Sequence, residues 1–362
     1  MKLCFVASAA SIHSYRWVKY FACHGYDVDW ISFAPPAFPP IPYVRFHALG
    51  AGRVDRRRPD RVLVGALATR RLIRRLEPDL VHGHSVGASG VVAALAGARP
   101  LVVTAWGSDV LLARGLVRVA ARMVLRRAAL VTCDARHMER AIAALGVDPS
   151  RIAIVYFGTD THRFRPAPKD EALVRRLDVH GMPVVVSVRA LRPLYDVASL
   201  VKAIPWVLKE VPNATFLVAG EGPEASGLRE LAASLGVARR TRFVGAIPND
   251  QLANWLNLAD VYVSTALSDA GLAASTAEAM ACELAVVVTD SGENRLWVAD
   301  GVNGFVVPCH DPRALGERIA VLLRDPEMRR RFGAINRRVI AERSNFDVEM
   351  AKMAGYYADV AR

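Results

Sequence analysis

Short apolar runs alternate with amphipathic stretches along the whole chain. In the first half the runs are KLCFVAS, DVDWISF, LVHGH, LVVTAW, LVTCDA and RIAIVYFG; in the second they are VVVSVRA, ATFLVAG, TRFVGA, DVYVST, AVVVTD and NGFVVP. Continuous Val, Ile and Leu runs separated by helical stretches predict parallel strands covered on both faces. The pattern therefore predicts an α/β chain of two doubly wound, Rossmann-like domains in tandem. A length of 362 residues agrees, since one ordinary core rarely grows so large. The join falls in GTDTHRFRPAPKDE, residues 158–171, which lacks apolar periodicity and where Pro166 and Pro168 fix an extended connection. The expected division is an N-terminal domain over 1–165, a C-terminal domain over 166–344, and a helix over 345–362 packing back toward the first domain. Open parallel sheets bind ligands beyond the carboxyl ends of their strands, so the expected site is a cleft between facing domains, closed by a hinge.

The densest chemical signal is residues 264–308, read as strand, loop, helix, strand. The loop after DVYVST carries Ser268, Ala270, Gly271, Ala273 and Ala274, all small enough to let a ligand reach the backbone. A helix starting near Ser275 then offers free N–H groups and a positive dipole end, which suits a diphosphate. Glu278 is expected in its first turn, where it could accept hydrogen bonds from ribose hydroxyls or serve only as a surface helix charge. In the first half, His13 and Arg16 lie where the first strand meets its helix, and His84 ends the strand LVHGH. Such positions favour function, although a lone histidine at a strand end is often structural. His82, inside that strand, is expected to be packed.

This stretch resembles the donor-binding segment of the family 4 retaining glycosyltransferases, which have GT-B architecture. Glu278-Ala279-Met280-Ala281 matches the family's E-A-M-A, and Asn303-Gly304-Phe305 with Pro308 matches its N-G-F close. LVAGEGPE (Gly220, Glu221, Gly222, Pro223), RFVGAIP, YFGTDTHRFRP (Gly158, Asp160, Phe164, Pro166), SIHSYRWVKYFACHGYDV and TAWGSDV resemble further family segments in collinear order. The resemblance implies an enzyme that moves a sugar from a nucleoside-diphosphate sugar to a hydroxyl acceptor. It makes Glu278 the ribose-binding glutamate and Arg189 the cation on the diphosphate, where its planar fork suits phosphate oxygens. Backbone at Gly271, Leu272, Ala273 and Ala274 would hold phosphates, and Gly222 would admit the base or ribose. No metal or other cofactor is implied. Three positions depart from the pattern. The first glutamate of the usual pair falls on Ala270, with Asp269 adjacent as a substitute at the sugar. The usual lysine falls on Leu194, with Arg192 the nearest cation. The histidine before G-S-D falls on Trp106, while Asp109 remains. The implied mechanism is retaining transfer in which a leaving phosphate oxygen takes the acceptor's proton, since no carboxylate pair flanks the reacting centre. A nucleotide-sugar epimerase and a partner subunit that has lost its chemistry are the alternatives.

Charge adds one element to this picture. Residues 1–165 carry 24 Lys and Arg against 11 Asp and Glu, whereas the remainder is nearly balanced. A basic first half favours an acidic partner, such as a phosphorylated or lipid-phosphate-linked acceptor or an anionic membrane, or else serves solubility alone. Arg114, Arg118, Arg122 and Arg126 recur every fourth position, which predicts one basic helix face backed by Leu116, Val117, Val119, Ala120, Met123 and Val124. The five cysteines show no metal-ligand spacing and no apolar run is long enough to span a membrane. The expected location is cytoplasmic, with peripheral contact at the inner face of the cell membrane. No nucleic-acid-reading module is recognisable, so nucleic acid is not an expected partner.

Overall fold

In the computed structural model, residues 1–49 and 59–362 are described. Each of the twelve apolar runs contains a strand. In the first half these are β1 (Lys2–Val6), β2 (Asp27–Ser32), β4 (Leu80–Gly83), β5 (Leu101–Thr104), β6 (Leu130–Cys133) and β7 (Ile152–Ile154). In the second they are β8 (Val184–Val188), β9 (Thr215–Ala219), β10 (Thr241–Gly245), β11 (Val261–Ser264), β12 (Ala285–Thr289) and β13 (Gly304–Val307). A thirteenth, β3 (Val44–Ala48), lies on the sheet edge and was not expected. Its sequence VRFHA alternates apolar and polar residues, so it lacks the continuous apolar run that marks a strand covered on both faces. Its polar positions have their own work: Arg45 and His47 both bond the carboxylate of fully buried Asp29 on β2.

The chain divides into two compact units, Met1–Phe157 with Val348–Arg362, and Gly158–Asp347. The sheet of the first runs β3-β2-β1-β4-β5-β6-β7 and that of the second β10-β9-β8-β11-β12-β13. All their pairings are parallel. In each sheet the winding starts at a central strand, runs to one edge, then resumes on the other side of that strand. The reversal falls between β1 and β4 in the first sheet and between β8 and β11 in the second. Loops leaving two such strands diverge, and the crevice at their carboxyl ends is where ligands of this architecture bind. From Val348 onward the helix Phe346–Ala361 belongs to the first unit: Met350, Met353 and Tyr357 are fully buried, and the Tyr357 hydroxyl lies 2.5 Å from Nδ1 of His82.

The arginine-rich helix spans Gly115–Arg127 and departs from expectation in two ways. Arg114 is its N-cap, with extended backbone, so it stands outside the helix rather than on its face. The apolar residues do not all back onto a core. Only Ala121, Val124 and Leu125 are buried, while Leu116 is 87% exposed and Val117 and Val119 are also exposed. The helix meets the core through its second half, and its first half presents apolar and basic side chains together. The helix Pro59–Leu76 does likewise, with exposed Leu63, Val64 and Leu67 beside exposed Arg61, Arg70, Arg71, Arg74 and Arg75. Among the described residues no helix is long and apolar enough to cross a membrane.

Candidate active site

The second unit places its charge at the β8/β11 reversal. Arg189 directly follows β8, and its Nη2 donates to Oδ1 of Asp269 at 2.6 Å. The guanidinium also lies 4.3 Å from the centre of the Tyr195 ring, a cation–π contact. Neither partner is solvated: the side chains of Arg189 and Asp269 are 8% and 13% exposed. Arg189 is therefore not a loose strand-end charge. Burial pushes the Asp269 carboxyl above its ordinary value, with Arg189 opposing it. At Arg189 burial works against the charge, and the Asp269 carboxylate with the Tyr262 and Tyr195 oxygens more than restores it. The two shifts do not mirror one another: burial is the largest influence at both, but at Arg189 the Asp269 carboxylate acts together with Tyr262 and Tyr195 against it. Arg189 Nε and Asp269 Oδ2 are both buried without a hydrogen-bond partner among the described residues. Arg192, at the start of the turn Pro193–Tyr195, is exposed.

The loop from β11 carries Asp269 into the helix Ala274–Ala281. Gly271, Leu272 and Ala273 are buried in it, and Ala274 opens the helix. Ser275, in the first turn, shares a 2.8 Å hydrogen bond with the buried hydroxyl of Tyr262 on β11. This ties the helix start to the strand that delivers it. Glu278 is the fifth residue of the helix, one position beyond the first turn, because the helix begins at Ala274. Dipole stabilisation of an N-terminal carboxylate, which fades after the first turn, is thus not what places it there. The surface-charge reading also fails, since Glu278 is only 8% exposed. Gly222 has a local reason to be glycine as well. A Cβ there would lie 2.1 Å from the Leu191 carbonyl oxygen, and one at Gly220 would lie 2.0 Å from that of Arg189. Close packing of the β8 and β9 loops accounts for both glycines before any ligand is considered.

At the β1/β4 reversal the first unit gathers aromatic rings. His13, in the first turn of the helix Ile12–Cys23, stacks on Phe157 with 5.3 Å between ring centres and sits 5.0 Å from Trp106. Trp106 stacks on Phe157 at 4.8 Å, meets His84 edge-on at 4.7 Å, and donates its indole N–H to the His84 carbonyl. Burial, helped by the Arg16 charge, pushes the His13 imidazole down to about 4. Burial likewise pushes His82 down to about 3 and His84 well below its ordinary value. All three are neutral near pH 7. His84 Nδ1 lies 3.0 Å from the Ser14 hydroxyl, whereas its Nε2 is buried without a partner among the described residues. His82 is packed, as expected, between Tyr357 and Thr104. The Asp109 carboxylate accepts the backbone N–H groups of Val86 and Trp106, both at 2.9 Å, and so clamps the two loops of this crevice together.

Comparison with known proteins decides the family. Residues 170–339 match the model for glycosyl transferases group 1, and residues 2–135 match that for glycosyl transferase 4-like proteins. The chain is 31% identical over 256 residues to the GDP-mannose-dependent α-(1-6)-phosphatidylinositol monomannoside mannosyltransferase of Mycolicibacterium smegmatis, covering 68% of this chain and 67% of that one. The chain belongs to the group 1, family 4-like glycosyltransferases. A further relative of this family is the D-inositol 3-phosphate glycosyltransferase of Streptomyces bingchenggensis, 33% identical over 232 residues; the match spans 60% of this chain and about half of that one, 50%. Among solved structures the GT-B fold recurs in sucrose-phosphate synthase from Thermosynechococcus elongatus, with a TM-score of 0.85 at 19% identity over 99% of each chain. It recurs also in Anabaena HepE in complex with UDP-glucose, with a TM-score of 0.83 at 20% identity over 99% of this chain and 100% of that one.

Within a group 1 glycosyltransferase the three departures now have a physical setting. Ala270 leaves no acid at its own position, and the acid beside it, Asp269, is turned onto Arg189. Leu194 supplies backbone instead of charge: its carbonyl accepts the Leu267 N–H at 2.9 Å and anchors the loop that carries Asp269. Trp106, where the resemblance expects a histidine, packs against both His13 and Phe157, which also stack on one another. Three neighbours of these residues, Tyr195, Tyr262 and Phe157, were not singled out from the sequence. Only their placement beside Arg189, Ser275 and Trp106 reveals them.

Proposed function

We propose that this glycosyltransferase moves a sugar from a nucleoside-diphosphate sugar, with retention of configuration, to a hydroxyl acceptor attached to an anionic lipid at a membrane surface. The observation that carries the reading is Arg189 at the β8/β11 reversal, bonded to Asp269 on the loop that runs from β11 into the helix Ala274–Ala281. A fixed cation and a helix end there would stabilise charge on the departing diphosphate without a metal. Glu278, buried on the same helix, would receive the ribose hydroxyls, and Arg192 would meet the phosphates from the exposed side of the crevice. His13, Arg16, His84, Trp106 and Asp109 would form the acceptor side, with the imidazoles acting as neutral hydrogen-bonding groups rather than cations.

The membrane part rests on the first unit's exposed mixture of apolar and basic side chains on Gly115–Arg127 and Pro59–Leu76. The relative from Mycolicibacterium smegmatis, named for a phosphatidylinositol-linked acceptor, points the same way. A panel of nucleotide sugars tests the donor: one held at 100 times its dissociation constant stabilises the protein by about 2.7 kcal/mol. The Glu278→Ala protein should lose that stabilisation together with turnover; undiminished binding and transfer would overturn the reading. Donor isomerised without an acceptor would indicate an epimerase instead, and donor bound without transfer a partner subunit. Arg118→Glu/Arg122→Glu should weaken sedimentation with phosphatidylinositol vesicles, and equal sedimentation of both proteins would remove the membrane.

A further inference from the structure

We propose that Asp269 is a built-in competitor for Arg189. In the donor-free chain its carboxylate holds the guanidinium position that a donor phosphate must take. Nucleotide binding is then an exchange of one anion for another, and product release is the reverse exchange. The inference rests on the reading of Arg189 as the diphosphate contact.

The pair is built for exchange rather than for permanence. An arginine fork and a carboxylate can make two parallel hydrogen bonds. Here only one forms, Nη2 to Oδ1 at 2.6 Å. Arg189 Nε and Asp269 Oδ2, one donor and one acceptor on the same two residues, are left buried and unmatched among the described residues. A buried network satisfied only in part is weaker than its burial suggests, because each unmatched group keeps its desolvation cost. A diphosphate offers more oxygens and more charge than one carboxylate, so it can satisfy the whole fork.

Each partner is held so that side chains can trade places while the backbone stays. The Tyr195 ring supports the Arg189 guanidinium from one side. The loop bearing Asp269 is fixed by main-chain contacts that do not involve its carboxylate. Leu267 donates to Leu194, and Thr289 and Ser291 hydroxyls both donate to the Ala266 carbonyl. Gly292 is bare where a Cβ would lie 2.4 Å from the Asp269 carbonyl oxygen. The usual acid of this segment would sit at Ala270. The acid here is one position earlier and faces the cation, which gives it a part in phosphate exchange rather than in holding the sugar.

The test compares Asp269→Asn, which keeps the shape and removes the charge, with the native protein. Binding of UDP and GDP, which carry no transferable sugar, is measured by calorimetry, together with product inhibition of transfer. Asp269→Asn should bind the better nucleoside diphosphate at least tenfold more tightly. Its product inhibition should rise in proportion, and kcat and KM should fall together as release becomes limiting. Unchanged or weaker nucleoside diphosphate binding would overturn the proposal. Weakened binding of the nucleotide sugar alone would overturn it too, by making Asp269 a sugar contact. Arg189→Gln separates the two readings: unaltered nucleoside diphosphate binding in that protein removes Arg189 from the phosphates, whatever Asp269 does. In Arg189→Gln/Asp269→Asn the second change should add nothing, and a tenfold gain there would exclude action through Arg189. Should Asp269→Asn not fold because Arg189 is left unpaired, refolding in millimolar nucleoside diphosphate should rescue it, and failure of that rescue counts against the proposal.

Discussion

The two sheets reverse at equivalent places, yet the residues set at those places are chemically opposite. At β8/β11 the chain gathers a buried ion pair, an arginine stacked on a tyrosine, and the start of a helix. At β1/β4 it gathers three neutral imidazoles, an indole and a phenyl ring, with one carboxylate clamping backbone. The same winding thus sets an ion pair at one reversal and a cluster of rings at the other. The lesson is that topology fixes where a ligand sits, while the residues leaving the two central strands fix its charge.

The contrast breaks most readily at Arg189. Arg189→Gln should lower kcat/KM by about 10²–10³-fold, the loss expected when a preorganised group that stabilises leaving-group charge is removed. A loss below tenfold would mean that the charged crevice is not the one where the diphosphate departs. Next, Trp106→Ala removes the ring that touches His13, His84 and Phe157 in the first unit. It should destabilise the protein by about 3 kcal/mol in denaturant unfolding, as large aromatic truncations do. Nucleoside diphosphate affinity should stay unchanged, and an altered affinity would blur the division between the two crevices.

The smallest effect concerns pH. The folded His13 titrates near 4 rather than at its ordinary value near 6.5. Between those values the unfolded chain binds a proton that the folded chain refuses. The stability contributed by neutral His13 is therefore complete above about pH 6.5 and is lost as pH falls toward 4. The slope per such proton is about 1.4 kcal/mol per pH unit. His13→Phe should flatten the stability–pH curve in that window relative to the native protein. Identical curves would show that the His13 imidazole is not shielded as the ring stack implies.

Much of this arrangement could be read from the chain itself, for reasons that differ by residue. The covered strands announce themselves as unbroken apolar runs, so twelve were legible, whereas β3 hid because an edge strand alternates. Glu278 and Arg189 stand out through the segments around them, but their surroundings do not. That Glu278 is buried beyond the first turn depends on where the helix begins, at Ala274 rather than Ser275. That Arg189 is already occupied depends on a residue 80 positions away. The arginine-bearing helix shows the same limit, since periodicity groups Leu116, Val117 and Val119 together without saying whether anything covers them.

The last helix has a consequence for how the chain is made. Residues Val348–Arg362 belong to the first unit, and Tyr357 plugs its interior between Phe21 and His82. A ribosome delivers Met1–Phe157 first but withholds this plug until the entire second unit has emerged. At ordinary synthesis speeds that is a wait of roughly 10–40 seconds. The second unit, begun later, is contiguous and can finish earlier. Birth order and completion order are therefore inverted, and the nascent first unit must spend that interval with an apolar socket open to whatever it meets.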